Sequence, residues 1–246
     1  MTETDNGVAP AQRIAIPSYF YPGAPWDRLI ADAAAVGLAI VNPNSGPGAG
    51  RDEAYLSQIA RARAAGIRVI GYVHTRYGAR PWREVVAEVD AYYDWYEIDG
   101  IFLDEVSSAP EQLPYYRLLH TQITVREGGA LVVLNPGTAT DERYLEVADI
   151  IVTFEGSAGD YLALGEAPRW VGRYEPRRFW HLVHGVSSRR AMRRAIALSK
   201  ERGAGWVYVT PDTMPNPWDI LPPEPYWQME IAAVQGRRHR LFWLPG

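Results

Sequence analysis

Short, almost wholly apolar runs alternate along the chain with longer amphipathic stretches. The apolar runs are "RIAIPS" (13–18), "LAIVN" (38–42), "RVIGYVH" (68–74), "GIFLDE" (100–105), "LVVLN" (131–135), "IIVTFE" (150–155), "FWHLVH" (179–184) and "GWVYVT" (205–210). Their near-continuous apolar character predicts strands covered on both faces. Helices are expected between them at about 26–36, 52–65, 82–96, 114–126, 141–147, 160–164, 187–202 and 226–234. In the second of these, Tyr55, Leu56, Ile59 and Ala60 keep the helical period, with Arg61 and Arg63 on the other face. The seventh repeats it with Ala191, Ala195, Ile196 and Leu198 among arginines. Strict alternation of eight strands with eight helices predicts an α/β fold, a single-domain (β/α)8 TIM barrel over 13–246, preceded by a flexible segment, 1–12. A doubly wound open sheet would place a glycine-rich turn after the first strand, where this chain reads "PSYFYPGAP". The glycine-rich "GPGAG" (46–50) follows the second strand, and its third fingerprint position is Arg51, so it reads as a tight loop.

Composition narrows the chemistry. The 246 residues are 47% hydrophobic and 22% charged, enough for a large core, and a net charge of −4 gives no reason to expect a nucleic-acid partner. No apolar run is long enough to span a membrane. The absence of cysteine removes thiolate nucleophiles and Cys-ligated metals. Lys200 is the single lysine and lies late in a helical segment, which sets aside Schiff-base, pyridoxal and Walker-type chemistry. No cofactor and no metal is therefore expected, and oligomeric state is left open. The polar, acidic start has no h-region, which predicts a cytoplasmic protein, or a secreted one if a leader is missing from this chain. Nine Trp and fifteen Tyr supply amphipathic rings of the kind that stack on sugars, although most such rings pack cores.

Polar residues gather at strand C-termini, where barrels of this type keep their catalytic groups. The fourth run ends in Asp104 and Glu105, the fifth in Asn135, the sixth in Glu155 and the second in Asn42, with Tyr72 and His74 closing the third and Tyr19 following the first. Strand alternation puts Asp104 on the face of Phe102, and Glu155 on the face of Thr153, pointing into the mouth. Glu105 then points sideways, as a supporting acid or as the partner of a loop arginine. Two carboxylates across one mouth are the minimal equipment for glycosidic-bond cleavage, one protonating the leaving oxygen while the other attacks the anomeric carbon or activates water. Clustering of the acids should raise the pKa of the acid/base carboxyl. Tyr208 at the end of the eighth strand and Trp218 in the proline-rich 210–227 loop complete the expected sugar contacts.

The ordered series "IPSYFYPG", "IVNPNSGPG", "VIGYVHTRYG", "IDGIFLDEVSS", "VVLNPGT" and "DIIVTFEGS" resembles the spherulin-4-like family over roughly residues 13–210. That family includes glycoside hydrolase family 135 and is similar to the endo-α-1,4-polygalactosaminidases of family 114. The resemblance implies catalytic acids at Asp104, Glu105 and Glu155, with Asp104 as nucleophile and Glu155 as general acid/base of a retaining endo-hydrolase. It further implies that Asn135 and Tyr72 contact the sugar, and that the partner is an amino-sugar polymer containing N-acetylgalactosamine or galactosamine. The residue pattern by itself assigns neither carboxylate as nucleophile. Two other readings stay open: a non-hydrolytic carbohydrate-binding barrel, and a metal-assisted isomerase or lyase using Asp104, Glu105 and His74.

Overall fold

The computed structural model describes residues 12–236; the expected flexible segment, but for Gln12, and the last ten residues of the expected barrel domain lie outside that range. Eight parallel strands close into a barrel in sequential order: β1 (Arg13–Ser18), β2 (Val36–Val41), β3 (Arg68–His74), β4 (Gly100–Asp104), β5 (Leu131–Leu134), β6 (Ile150–Ser157), β7 (Phe179–His184) and β8 (Trp206–Val209). Closure rests on the β1–β8 seam, where Arg13 pairs with Trp206 and Ile14 with Val207. The open sheet is thereby set aside. Nearly every strand residue is buried, as expected of a sheet with side chains packed inside and helices packed outside.

Among the described residues seven α-helices cover the barrel: α1 (Ala24–Ala31), α2 (Glu53–Ala64), α3 (Trp82–Trp95), α4 (Leu113–Arg126), α5 (Ala158–Ala163), α6 (Arg189–Glu201) and α7 (Tyr226–Val234). Local signals set their starts. Asp52 caps α2 through the Ala54 N–H, Ser157 caps α5, Ser188 caps α6, and prolines occupy the first turns of α1 and α4. The helix expected at 141–147 is instead a short 3-10 turn, Glu142–Glu146. Asp141 caps it, and its N–H groups reach back three residues, Tyr144 to Asp141 and Val147 to Tyr144. Only five residues separate that cap from β6's approach, too few for stable α-helical turns.

Inside, an aromatic floor fills the barrel below its mouth. Phe102 stacks on Tyr72 at 6.2 Å and meets Trp180 edge-on at 5.7 Å, and both Phe102 and Trp180 are fully buried. Outside, Tyr92 of α3 lies flat over Gly71, where a Cβ would come within 2.7 Å of the ring, and donates its hydroxyl hydrogen to the Val41 carbonyl.

One register irregularity corrects the sequence reading. Between Val152 and Phe154 the β6–β7 ladder slips, so that Val152 faces Trp180 while Phe154 faces His181, leaving Thr153 as the extra residue of a bulge. Thr153 therefore sits on the helix side, with its hydroxyl 3.1 Å from His181 Nε2, and does not share the face of Glu155. His181 Nδ1 lies 2.7 Å from the Tyr161 hydroxyl of α5, and burial, with a smaller effect from Arg202, holds the His181 pKa down to about 3. A neutral imidazole thus fastens the bulge to the outer layer. Glu155 points inward as expected, but because of the bulge and not because of alternation with Thr153.

The tightest backbone approach lies at Gly100, at the base of β4, where a Cβ would stand 2.1 Å from the Leu131 carbonyl oxygen of β5. We expect Gly100→Ala to cost about 2 kcal/mol or more by forcing the two strands apart. Gly128→Ala, with nothing within 4 Å, should change stability little. Urea denaturation of the two variants checks both outcomes.

Candidate active site

The chemistry of the mouth is built on three neighbouring strands. Asp104 is the last residue of β4, Asn135 follows β5 directly, and Glu155 stands late in β6. The Asn135 amide nitrogen donates to Asp104 Oδ1 at 2.7 Å and to Glu155 Oε2 at 2.5 Å. Those two distances place Asp104 Oδ1 and Glu155 Oε2 no more than about 5.2 Å apart. The amide is held in this orientation because its own oxygen accepts the Gly137 N–H at 3.0 Å. Gly137 adopts φ 65° and its carbonyl accepts the Glu155 N–H, tying the loop after β5 to β6.

The remaining oxygens are also engaged. Tyr72 donates its hydroxyl hydrogen to Asp104 Oδ2 at 2.7 Å, and Trp218 donates its indole N–H to Glu155 Oε1 at 3.1 Å. Burial, more than the neighbouring charge, raises the Glu155 pKa to about 7; the Asp104 charge adds to it, and Asn135 and Trp218 oppose it. Burial is likewise the first cause raising Asp104, with Tyr72, the Glu105 backbone and Asn135 acting against it. Asp104 thus has one more donor favouring its ionised form. Near neutrality Glu155, with its pKa at about 7, is the member of the pair that can carry a proton. The clustering of acids is therefore the second cause of the raised pKa, not the first.

Other expected residues fall at varied distances from this centre. Tyr19 packs edge-on against Tyr72 at 5.5 Å, and burial followed by the Asp104 charge raises its hydroxyl pKa well above the ordinary value. Glu105 turns away from the pair: its backbone is left-handed at φ 50°, and its carboxylate lies 3.5 Å from His74 Nδ1. Its partner is thus a histidine, and not an arginine. Among the described residues no three His, Asp or Glu side chains converge as a metal site requires. Asn42 uses its carbonyl oxygen to accept the Gly46 N–H, folding the loop after β2. Tyr208 is a correction. It is fully buried beneath Trp218, ring centroids 5.8 Å apart, so the indole screens it from any sugar in the mouth.

Two contributions escaped the sequence reading. Trp218 acts through its N–H on Glu155, and it is only 6% exposed, so it is not the open stacking surface expected of the proline-rich loop. Thr75, fully buried, donates its hydroxyl hydrogen to the Asp104 and Glu105 carbonyls and so clamps the end of β4. Its place directly after the third apolar run was the available signal.

Comparison with known proteins bears on this geometry. The Spherulin4 model, described as spherulation-specific family 4, matches residues 13–234. Spherulin-4 of Physarum polycephalum is 41% identical over 153 residues, which are 60% of this chain and 46% of that protein. The chain matches about half the length of that curated relative. Among solved structures, Sph3 of Aspergillus clavatus, crystallised in complex with GalNAc, superposes with a TM-score of 0.76 at 23% identity, over 92% of this chain and 98% of that one. A GH18 chitinase from Pseudoalteromonas aurantia superposes with a TM-score of 0.52 at 11% identity, over 79% and 93% of the two chains. At such identities the superpositions establish the shared barrel fold.

The carboxyl of Glu155 should titrate near pH 7 when followed by carbon-13 NMR. Trp218→Phe removes a donor that favours the ionised form, so the midpoint should move upward. A raised folded-state pKa also means that stability is fullest below the ordinary value of 4.5 and declines as pH rises toward 7. Glu155→Gln should flatten that part of the stability profile, measured by urea midpoints at pH 4, 5.5 and 7.

Proposed function

Since the chain belongs to the spherulation-specific family 4, and since its mouth holds two buried carboxylates bridged by one amide, we propose that it is a glycoside hydrolase. The observation that carries the reading is the carboxylate pair at short separation, one member of which has its pKa raised to about 7 and so can both give and take a proton near neutrality. A non-hydrolytic binding barrel would have no need for two acids brought this close at the cost of their hydration. The metal-assisted reading needs a three-ligand set, whereas Asp104 is engaged by Tyr72 and Asn135, and His74 by Glu105.

Bridging by a single amide nitrogen keeps the facing oxygens no more than about 5.2 Å apart, a close approach that favours the short carboxyl separation of retaining enzymes, about 5–5.5 Å, over the separation of about 6.5–9.5 Å in inverting ones. In the first step an Asp104 oxygen attacks the anomeric carbon as the glycosidic C–O bond breaks, and the leaving oxygen takes the proton of Glu155. In the second, the Glu155 carboxylate takes a proton from water, whose oxygen displaces Asp104 and releases the sugar with its configuration kept. Asn135 and Tyr72, already bonded to Asp104, would follow its charge as the bond forms and breaks. The substrate we propose is an α-1,4-linked polymer of N-acetylgalactosamine and galactosamine, cut internally. GalNAc in the Sph3 structure and the resemblance of the strand-end motifs support this choice.

Incubation with α-1,4-linked galactosamine and N-acetylgalactosamine oligomers, with chelator present, should give shorter products whose first-formed anomer by proton NMR is α. Asp104→Asn and Glu155→Gln should each lower turnover by roughly a thousandfold or more while leaving the fold and ligand affinity intact. Near-normal turnover in either variant removes that residue's role, and a β first product replaces retention by inversion.

Asp104 and Glu155 lie together in the mouth, with the Glu105 carboxylate turned to His74 beside them, in a chain of net charge −4. Their field attracts cations and repels polyuronates. On the Glu155→Gln variant, raising salt should weaken binding of a galactosamine oligomer more than that of its fully acetylated, neutral counterpart. Calorimetry at low and high salt decides; equal salt dependence, or tight binding of a polyuronate, overturns this part of the reading.

A further inference from the structure

Two tyrosines stand exposed on loops of the barrel mouth. Tyr21, after β1, is held in place: its hydroxyl donates to Asp52 and its ring packs edge-on against Tyr55 at 5.4 Å. Tyr77, after β3, is 64% exposed and has neither a ring partner nor a side-chain hydrogen bond among the described residues. Yet it occupies left-handed backbone, φ 55° and ψ 34°, between Arg76 at φ 51° and Gly78 at φ 84°. Glycine or asparagine is the ordinary occupant of such a position, and a bulky side chain there carries a steric cost. The Tyr77 N–H donates to the carbonyl of Glu105, itself left-handed. Three of the four non-glycine residues at positive φ in the described chain thus cluster beside Asp104.

The loop is held from beneath. Thr75 is fully buried, and its carbonyl accepts the N–H groups of Gly78 and Arg80 while its hydroxyl holds the Asp104 and Glu105 carbonyls. Arg80 in turn donates to the His74 carbonyl and pairs with Glu88 of α3. With these bonds in place the loop cannot relax, so the ring is displayed on a rigid mount. Strain of this kind persists only where the surroundings over-determine it, and it gathers at ligand clamps. Packing against the protein does not offset it at Tyr77. Contact with a ligand would.

We propose that Tyr77 is a stacking platform for a sugar ring at a subsite removed from the scissile bond, an assignment that rests on the carbohydrate reading above and extends it. A rigid ring with two side-chain torsions binds at little entropic cost. The ligand class that suits it is a galacto-configured pyranose, whose axial 4-hydroxyl leaves three C–H groups together on one apolar face. Recognition of a ring away from the bond being cut is also what an internal mode of cleavage needs.

The test uses the Glu155→Gln variant with carbon-13 tyrosine rings, titrated with α-1,4-linked galactosamine and N-acetylgalactosamine dimers and hexamers and with a gluco-configured hexamer. Tyr77 signals, assigned by their loss in Tyr77→Gly, should shift with the galacto hexamers. Tyr77→Gly keeps the left-handed backbone; it should weaken the hexamer Kd about three- to tenfold and leave the dimer Kd unchanged. Tyr77→Trp should retain hexamer affinity, and the urea midpoint of Tyr77→Gly should not fall. Equal hexamer affinity in Tyr77→Gly, or no shift of Tyr77 with any saccharide, overturns the platform. Hydrolysis by the unsubstituted chain with Tyr77 silent overturns the platform alone. Saccharide shifts at Tyr77 without product from that chain support the platform and overturn the hydrolytic reading.

Discussion

Two carboxylates buried within about 5.2 Å of each other repel, and the molecule has to accommodate that repulsion before it can use them. At that distance two full charges would oppose one another by about 3 kcal/mol for an effective dielectric of about 20. The Asn135 amide meets the geometric part of the problem by giving one N–H direction to each acid. It cannot meet the electrostatic part, because it is neutral. That part falls to a proton, which burial and the Asp104 charge keep on Glu155 up to about pH 7. Tyr72 and Trp218 give one donor to each acid and Asn135 serves both, so the asymmetry of the pair follows from the Glu105 backbone N–H, a third donor that Asp104 alone receives.

The barrel makes this arrangement by placing the ends of β4, β5 and β6 side by side, so that no long loop has to fold back to deliver either carboxylate or the amide between them. Each position is then secured from behind. Thr75 clamps the carbonyls at the end of β4, Gly137 orients the Asn135 amide, and the Thr153 bulge, held by neutral His181 and Tyr161, sets the register of β6 before Glu155. The aromatic floor of Tyr72, Phe102 and Trp180 excludes water from below, which strengthens each of these polar contacts. Strain at the rim belongs to the same design. The left-handed residues Glu105, Arg76 and Tyr77 are fixed by bonds that start from Thr75 and Glu105, next to the acid they border.

Much of this was legible in the residues. The alternation of apolar runs and amphipathic stretches specifies a covered parallel sheet, since only that environment buries both faces of a strand, and eight such units specify closure. Polar residues at the ends of apolar runs located the mouth, and Asp104, Asn135 and Glu155 do meet there. What tertiary structure alone decided is which face a side chain takes and what it touches. A one-residue bulge reversed the expected side of Thr153, because register depends on the partner strand and not on local alternation. Tyr208 and Trp218 both lost the open access expected of them, since a loop distant in sequence folds its indole over the strand-end ring and onto Glu155. Glu105 turned to His74 because its backbone went left-handed under constraints from Thr75 and Tyr77. The raised pKa of Glu155 has the same origin: residue types can supply carboxyls, but burial depth and the donors around each are properties of the packed mouth.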